Sequence, residues 1–271
     1  MRAVEIHEPG RPPVVVERDA PAAVPDETLI KVTAAPVTPL DLLCASGTSY
    51  FGRPRTPYVP GVQGVGTVEG EPVWFATSAG MAPGDGSMAE VARVPADDTV
   101  RLPAGVDPVA IAALGLSAIA AHLALTWRGE LAAGEQVLVL GTGGVVGQAA
   151  VQLARIAGAR RVVAGARSAA ARDRAEQAGA DAVVALDTED VAELAARFAA
   201  VTDGPVDLVL DPLFGVPAAA AARTLRSGGR LVNLGGRSLR LLGYLNAGQC
   251  SGVHAGGEGP RGSTRQGASV L

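Results

Sequence analysis

Aromatic side chains are scarce in this chain: four Phe, three Tyr and two Trp make 3% of 271 residues, while the apolar share reaches 48%. Its core must therefore be aliphatic, built from Val, Leu, Ile and many Ala. Cysteine is as scarce. Cys44 and Cys250 lie far apart in sequence, and the only histidines are His7, His122 and His254. That argues against a zinc site of three or four Cys/His ligands, and no metal is expected. Positive charge is not in excess. A net charge of −4 argues against a general binder of nucleic acid or of an anionic membrane. The first residues, Met1 to Glu8, carry no apolar signal-peptide region. The length suits two domains of ordinary size.

One stretch lacks charge altogether. Pro108 to Trp127 contains no Asp, Glu, Lys or Arg, and it is long enough to cross a bilayer. It is dominated by Ala, with Gly115, Ser117 and His122 inside, and no aromatic belt marks both ends. A buried helix packed under a cofactor domain is the expectation, in a soluble cytoplasmic protein that does not enter a membrane.

What the chain does have is a strand, a glycine turn and a helix in immediate succession, from Glu135 to Arg167. Gln136-Val137-Leu138-Val139-Leu140 is apolar as a strand buried on both faces should be. Gly141, Thr142, Gly143, Gly144, Val145, Val146 and Gly147 follow. Val151, Leu153, Ala154 and Ala157 then repeat at helical spacing. The strict G-x-G-x-x-G register fails at Val146, and the match is Gly141-x-x-Gly144-x-x-Gly147. Glycines let the backbone turn sharply and let a pyrophosphate approach, and the helix start offers free N–H groups. A tight turn without a ligand would use the same residues; the flanking strand and helix favour a dinucleotide site. The next strand, Arg161 to Ala166, ends without the acid that would hold the ribose hydroxyls of NAD. Arg167, Ser168 and Arg172 stand there instead, where guanidinium groups suit a 2′-phosphate. NADPH is the expected cofactor.

Further strands are expected at Asp181–Asp187, Val206–Asp211, Gly229–Gly235 and Ser238–Tyr244. Helices are expected over Asp190–Phe198 and Ala218–Leu225. Alternation of this kind makes a doubly wound parallel sheet over 109–245. Its carboxyl-end rim carries Gly141–Gly147, Arg167, Pro212, Leu234 and Gly235. Residues 1–108 look different. Short β-type runs at Val14–Glu17, Thr28–Val32, Val62–Val68 and Gly86–Pro95 are punctuated by proline and glycine. They point to a small β-barrel-like domain that caps the cofactor or holds substrate. Residues 246–271 are glycine-rich without apolar periodicity, so they are expected to be disordered.

Four short stretches carry a resemblance. Ala35-Pro36-Val37-Thr38-Pro39-Leu40-Asp41 is similar to a Val-Asn-Pro-x-Asp loop. Pro57-Tyr58-Val59-Pro60-Gly61-Val62-Gln63-Gly64-Val65-Gly66 is similar to P-x-x-P-G-x-E-G-x-G. Gly86-Ser87-Met88-Ala89-Glu90 is similar to G-[ST]-[FY]-A-E, and Gly115-Leu116-Ser117-Ala118 to G-L-T-A. In this order, over about residues 1–245, the chain resembles the zinc-independent quinone oxidoreductase branch of the medium-chain dehydrogenase/reductase superfamily.

The resemblance implies a GroES-like catalytic domain before a Rossmann domain, a homodimer, and NADPH-dependent hydride transfer to a quinone or an α,β-unsaturated carbonyl. It places Thr38 and Ser117 beside the nicotinamide and makes Tyr50 the candidate donor to the carbonyl oxygen. The zinc-dependent branch carries a Cys in the first loop and His-Glu in the second; here those places hold Thr38 to Asp41 and Val62-Gln63. Other departures are a shorter hinge over 66–74 and the absence of the family's returning C-terminal strands, as in a truncated or frame-shifted chain with an incomplete catalytic domain. Two alternatives therefore stay open, a nucleotide-binding protein with little turnover and a specialised biosynthetic reductase.

Overall fold

The computed structural model describes residues 1–234. The expected strand at 238–244, the glycine-rich end at 246–271 and the candidate Gly235 lie outside the described residues. The chain divides into two compact units, one of Met1–Leu116 and a second that begins at Ser117.

The first unit contains β1 (Arg2–Glu5), β2 (Val14–Glu17), β3 (Glu27–Ala34), α1 (Pro39–Ser46), β4 (Gln63–Val68), β5 (Glu71–Ala76), β6 (Val91–Pro95) and β7 (Thr99–Arg101). β1 and β2 pair antiparallel, and a five-stranded antiparallel sheet runs β6-β3-β4-β5-β7. Ile30, Val73, Phe75, Ala92 and Val94 form a core on that sheet. The glycines of β4 are there for close approach: a Cβ on Gly66 would run into the Lys31 carbonyl of β3.

Three expectations change in this unit. The stretch 66–74 is not a hinge but a hairpin, in which Glu69 (φ 51) and Gly70 (φ 90) turn the chain with both residues left-handed. Pro36 to Asp41 is not all loop. Thr38 caps α1, and Pro39 takes its first position, where a missing N–H costs nothing. Gly86 to Glu90 is not continuous strand. Ser87 and Met88 donate to the carbonyls of Gly61 and Pro60, which folds the start of the stretch onto the 60–61 turn, while Ala89 bridges Ala3 of β1 and Glu90 N donates to the Arg2 carbonyl.

The chain leaves the first unit within α2 (Pro108–Leu123), whose backbone breaks at Gly115 (φ 25, ψ −122). The helix is not buried as expected: 28% of its most apolar window is covered, with Val109, Leu114 and Ile119 exposed. Ala112 is buried with Val65 and Trp74 in the first unit and Ala121 in the core of the second.

The second unit continues with β8 (Gln136–Leu140), α3 (Val145–Ile156), β9 (Arg161–Ala166), α4 (Ala169–Gln177), β10 (Ala182–Ala185), α5 (Val191–Val201), β11 (Val206–Asp211), α6 (Val216–Ala222) and β12 (Leu225–Asn233). All pairings are parallel, in the order β10-β9-β8-β11-β12. Every residue of β8 is buried. Ala149, Ala150, Val151 and Ala154 of α3 and Ala175 of α4 pack on one face of the sheet. Leu194 and Phe198 of α5 and Ala220 and Ala221 of α6 pack on the other. The sheet is therefore doubly wound, with a core that is aliphatic but for Phe198.

The amino ends of these strands are clasped by charge. Arg230 donates to both oxygens of Glu135, at 2.7 and 2.6 Å, and Arg226 pairs with Asp207 at 2.6 Å. The Arg230 hydrogen bond holds the Glu135 carboxyl below its ordinary range. A lowered folded value means that this contribution is present above the unfolded pKa and lost as pH falls through the folded one. Glu135→Gln should therefore cost about 1–2 kcal/mol in urea unfolding at neutral pH. The gap from wild type should close below about pH 4; a gap that persists in acid would show that the contact is not ionic.

Candidate functional site

Strand β8 ends at Leu140, and Gly141 (φ 67) turns the chain in the left-handed region that favours glycine. Thr142 is fully buried. Its N–H and its hydroxyl both donate to the Gly165 carbonyl of β9, at 3.1 and 3.3 Å, and its own carbonyl accepts from Gln148 Nε2. The loop is thus pinned to the neighbouring strand.

The three motif glycines are not equivalent. A Cβ on Gly147 would lie 2.6 Å from the Gly141 oxygen and from Thr142 Cα, so helix and loop meet backbone to backbone. A Cβ on Gly144 would meet nothing nearer than 3.7 Å. Packing within the protein does not require a glycine there, and the space lies at the start of α3. Gly144 caps α3 without a side-chain bond. The N–H groups of Val145, Val146 and Gly147 donate to no acceptor among the described residues. Free N–H groups, the positive end of a helix dipole and an open cradle suit an anionic group.

At the end of β9, Ser168 caps α4 by accepting from Ala171 N at 3.3 Å. Arg172 folds back to donate to the Ala166 and Arg167 carbonyls, at 3.4 and 2.8 Å. The Arg167 side chain is exposed and has no partner among the described residues. Pro212 and Leu213 meet Gly141 from β11, each about 3.0 Å from where its Cβ would be. Leu234 N donates to the Asp211 carbonyl at 2.9 Å. Gly141–Gly147, Arg167, Ser168, Pro212 and Leu234 therefore share one rim, at the carboxyl ends of β8, β9, β11 and β12.

The other candidates belong elsewhere. Ser117 is half-buried in α2. Thr38, in the first unit, has its hydroxyl engaged, donating to Asp41 Oδ2 at 2.7 Å and accepting from Asp41 N at 3.2 Å. Tyr50 is 77% exposed, with its ring 4.4 Å from that of Phe51.

Two groups escaped the sequence reading as contributors. Asp41 is buried, and its second oxygen accepts from Val62 N at 2.9 Å, which ties α1 to the loop before β4. Gln63 is buried as well. Its Oε1 accepts from Trp74 Nε1 at 3.1 Å and Leu116 N at 2.7 Å, and its Nε2 donates to the Ala112 carbonyl at 3.4 Å. A Cβ on Gly115 would overlap that amide, so the helix break and Gln63 depend on each other. The capping pattern around Asp41 was visible in the sequence; the pairing of Gln63 with residue 116 was not.

A family model described as zinc-binding dehydrogenase matches residues 145–247. Quinone oxidoreductase of Lama guanicoe is 40% identical over 169 residues, which are 57% of this chain and 49% of that protein, so the match spans about half of that relative's length. Quinone oxidoreductase of Homo sapiens is 31% identical over 252 residues, covering 88% of this chain and 74% of that protein. Among solved structures, quinone oxidoreductase from Thermus thermophilus, crystallised also in complex with NADPH, matches with a TM-score of 0.74 at 31% identity, over 90% of this chain and 78% of that one. The chain belongs to the medium-chain dehydrogenase/reductase superfamily, in its quinone oxidoreductase-like branch, with that family's GroES-like and Rossmann architecture.

Gly115→Ala should lower stability by about 3 kcal/mol, through a strained backbone and overlap with the Gln63 amide. In Gln63→Ala/Gly115→Ala the two losses should be less than additive in thermal or urea unfolding. Strict additivity would show that the amide does not hold the break.

Proposed function

We propose that this member of the superfamily is an NADPH-dependent, zinc-free oxidoreductase that delivers hydride to a quinone or an α,β-unsaturated carbonyl. The observation that carries the reading is the start of α3, where three backbone N–H groups without acceptors among the described residues face a cradle that a side chain at Gly144 would fill. Gly141–Gly147 would hold the pyrophosphate there. Arg167, without a partner among the described residues at the end of β9 where no acid follows, would meet the 2′-phosphate. Arg172 supports it by gripping the Arg167 carbonyl.

The bound nicotinamide supplies a hydride. The chain's part is to orient it, exclude water and manage the proton. Ser117 and Thr38 are proposed walls for the ring. Thr38 donates its proton to Asp41 and so serves by position. Tyr50 is the proposed donor to a developing oxyanion; for a quinone, water can supply the protons.

Zinc activation is left out because the donor set does not fit. Both oxygens of Asp41 already accept hydrogen bonds, the Gln63 oxygen serves Trp74 and Leu116, and Cys44 is buried and hydrogen-bonded to Ser49. No group of three His, Cys, Asp or Glu is placed for a metal among the described residues. A second reading, nucleotide binding with little turnover, is favoured by the engaged Thr38 hydroxyl and by a Tyr50 exposed at the surface.

Titration with NADPH and NADH, followed by nicotinamide fluorescence and then by loss of absorbance on adding a simple quinone, separates these readings. Tight NADPH binding with oxidation supports the reductase. Binding without oxidation across quinones and enones favours the second reading, and no binding of either nucleotide sinks both. Arg167→Ala should weaken NADPH by about tenfold and leave NADH nearly unchanged; equal losses would remove Arg167 from the 2′-phosphate. Gly144→Ala should change stability by less than about 1 kcal/mol while weakening both nucleotides. Gly147→Ala should destabilise the fold itself. If Gly144→Ala binds like wild type, the cradle is not used.

A further inference from the structure

Ligands of a doubly wound sheet bind where the strand order reverses. Here that point lies between β8 and β11, because the chain runs outward from β8 to β9 and β10 on one side and from β11 to β12 on the other. Gly141 leaves the first of these strands. Asp211 ends the second, and it is fully buried.

The groups that meet its carboxylate are amides. Leu213 N and Phe214 N both donate to Oδ1 at 2.9 Å, and Asn233 Nδ2 donates to Oδ2 at 2.8 Å. Burial raises its pKa above the ordinary range, and the groups that act against this are those same three donors. A buried acid whose donors among the described residues are all amides is costly, so what it holds in place matters.

It holds two things. The bonds to Leu213 and Phe214 fold Pro212–Gly215 into a turn whose last two residues, Phe214 (φ 65) and Gly215 (φ 78), are left-handed. A Phe in that region persists only where its surroundings fix it. This turn is the surface that Gly141 rests on, with Pro212 Cγ and Leu213 Cδ2 each 3.0 Å from where a Cβ of Gly141 would be. On the other side, the Asp211 carbonyl accepts from Asn233 Nδ2 at 3.1 Å and Leu234 N at 2.9 Å, which sets the end of β12.

We infer that Asp211 is a positioning residue of the nucleotide site, its one side chain holding the Pro212–Gly215 turn against Gly141 and the end of β12 beside it. The first glycine of the loop thereby keeps the place from which residues 144–147 present their N–H groups. The inference rests on the dinucleotide reading of that loop.

The test compares NADPH dissociation constants, by nicotinamide fluorescence, for wild type, Asp211→Ala, Asp211→Asn and Pro212→Gly, with thermal melts in parallel. Asp211→Ala should weaken binding by about tenfold. Asp211→Asn keeps an oxygen for the two turn N–H groups and gives up only the bond from Asn233, so binding should recover to within about threefold of wild type. Pro212→Gly loosens the turn without touching the carboxylate, and should weaken binding by about threefold with little change in melting temperature.

Binding within about twofold of wild type in Asp211→Ala overturns the inference, as does the same result in Pro212→Gly should the alanine variant not fold. Asp211→Asn as weak as Asp211→Ala also overturns it, because charge and not the acceptor would then be what matters. A wild type that binds neither NADPH nor NADH overturns instead the dinucleotide reading beneath it.

Discussion

The first turn of α3 lies directly on the backbone leaving β8. There is no room for a side chain at Gly147, where a Cβ would sit 2.6 Å from the Gly141 oxygen and from Thr142 Cα. The rest of the rim depends on this contact. It brings α3 close enough for Ala150, Val151 and Ala154 to bury themselves completely on the sheet. It also sets the helix start at Gly144, one turn from the end of the strand. Thr142 and Gln148 then lock the loop from both sides, through Gly165 and through the Thr142 carbonyl. A chain with few aromatic residues can build this way because alanine-faced helices approach a Val- and Leu-rich sheet closely, and dense packing replaces bulk.

How helix starts are treated elsewhere in the molecule sharpens the meaning of α3. Thr38 caps α1, Ser168 caps α4 and Asp190 caps α5, each accepting from N–H groups that the helix cannot satisfy itself. Asp107 accepts from Val109 N at the start of α2. Helix α6 begins without a side-chain cap, but Pro217 removes one of its donors. Only α3, among the described α-helices, has neither a capping side chain nor a proline in its first turn, and it follows a strand at the reversal of strand order. Four other helix starts carry a capping side chain and α6 a proline, whereas the first N–H groups of α3 meet no acceptor among the described residues.

Much of the second unit was legible because its signals are local. Strand, glycine turn and helix stand next to one another, and the period changes from a continuous apolar run to helical spacing within a few residues. The first unit was less legible because its strands are joined over distance: β3 pairs with both β4 and β6, and no short window contains that register. Pro39 reads as part of a loop by its family resemblance, whereas a proline just inside a helix after a Thr cap, with Asp41 closing the box, is a start signal. Asp211 was hidden for a different reason. Its neighbour Pro212 marks the turn, but the role of the acid depends on Asn233, which only β12 brings alongside.

The departures from the family pattern also read differently once their contacts are known. Gln63 stands where the family has Glu. A neutral amide offers an acceptor to Trp74 and Leu116 and a donor to the Ala112 carbonyl, so all three partners are met. An ionised carboxylate would meet the first two and set a second negative oxygen against that carbonyl, a cost inside a buried site. Gly115 completes the arrangement by leaving space for the amide. Here the substitution is matched on every side. The first unit therefore has a reason of its own to carry Gln63, which is to hold the break in α2 immediately before Ser117.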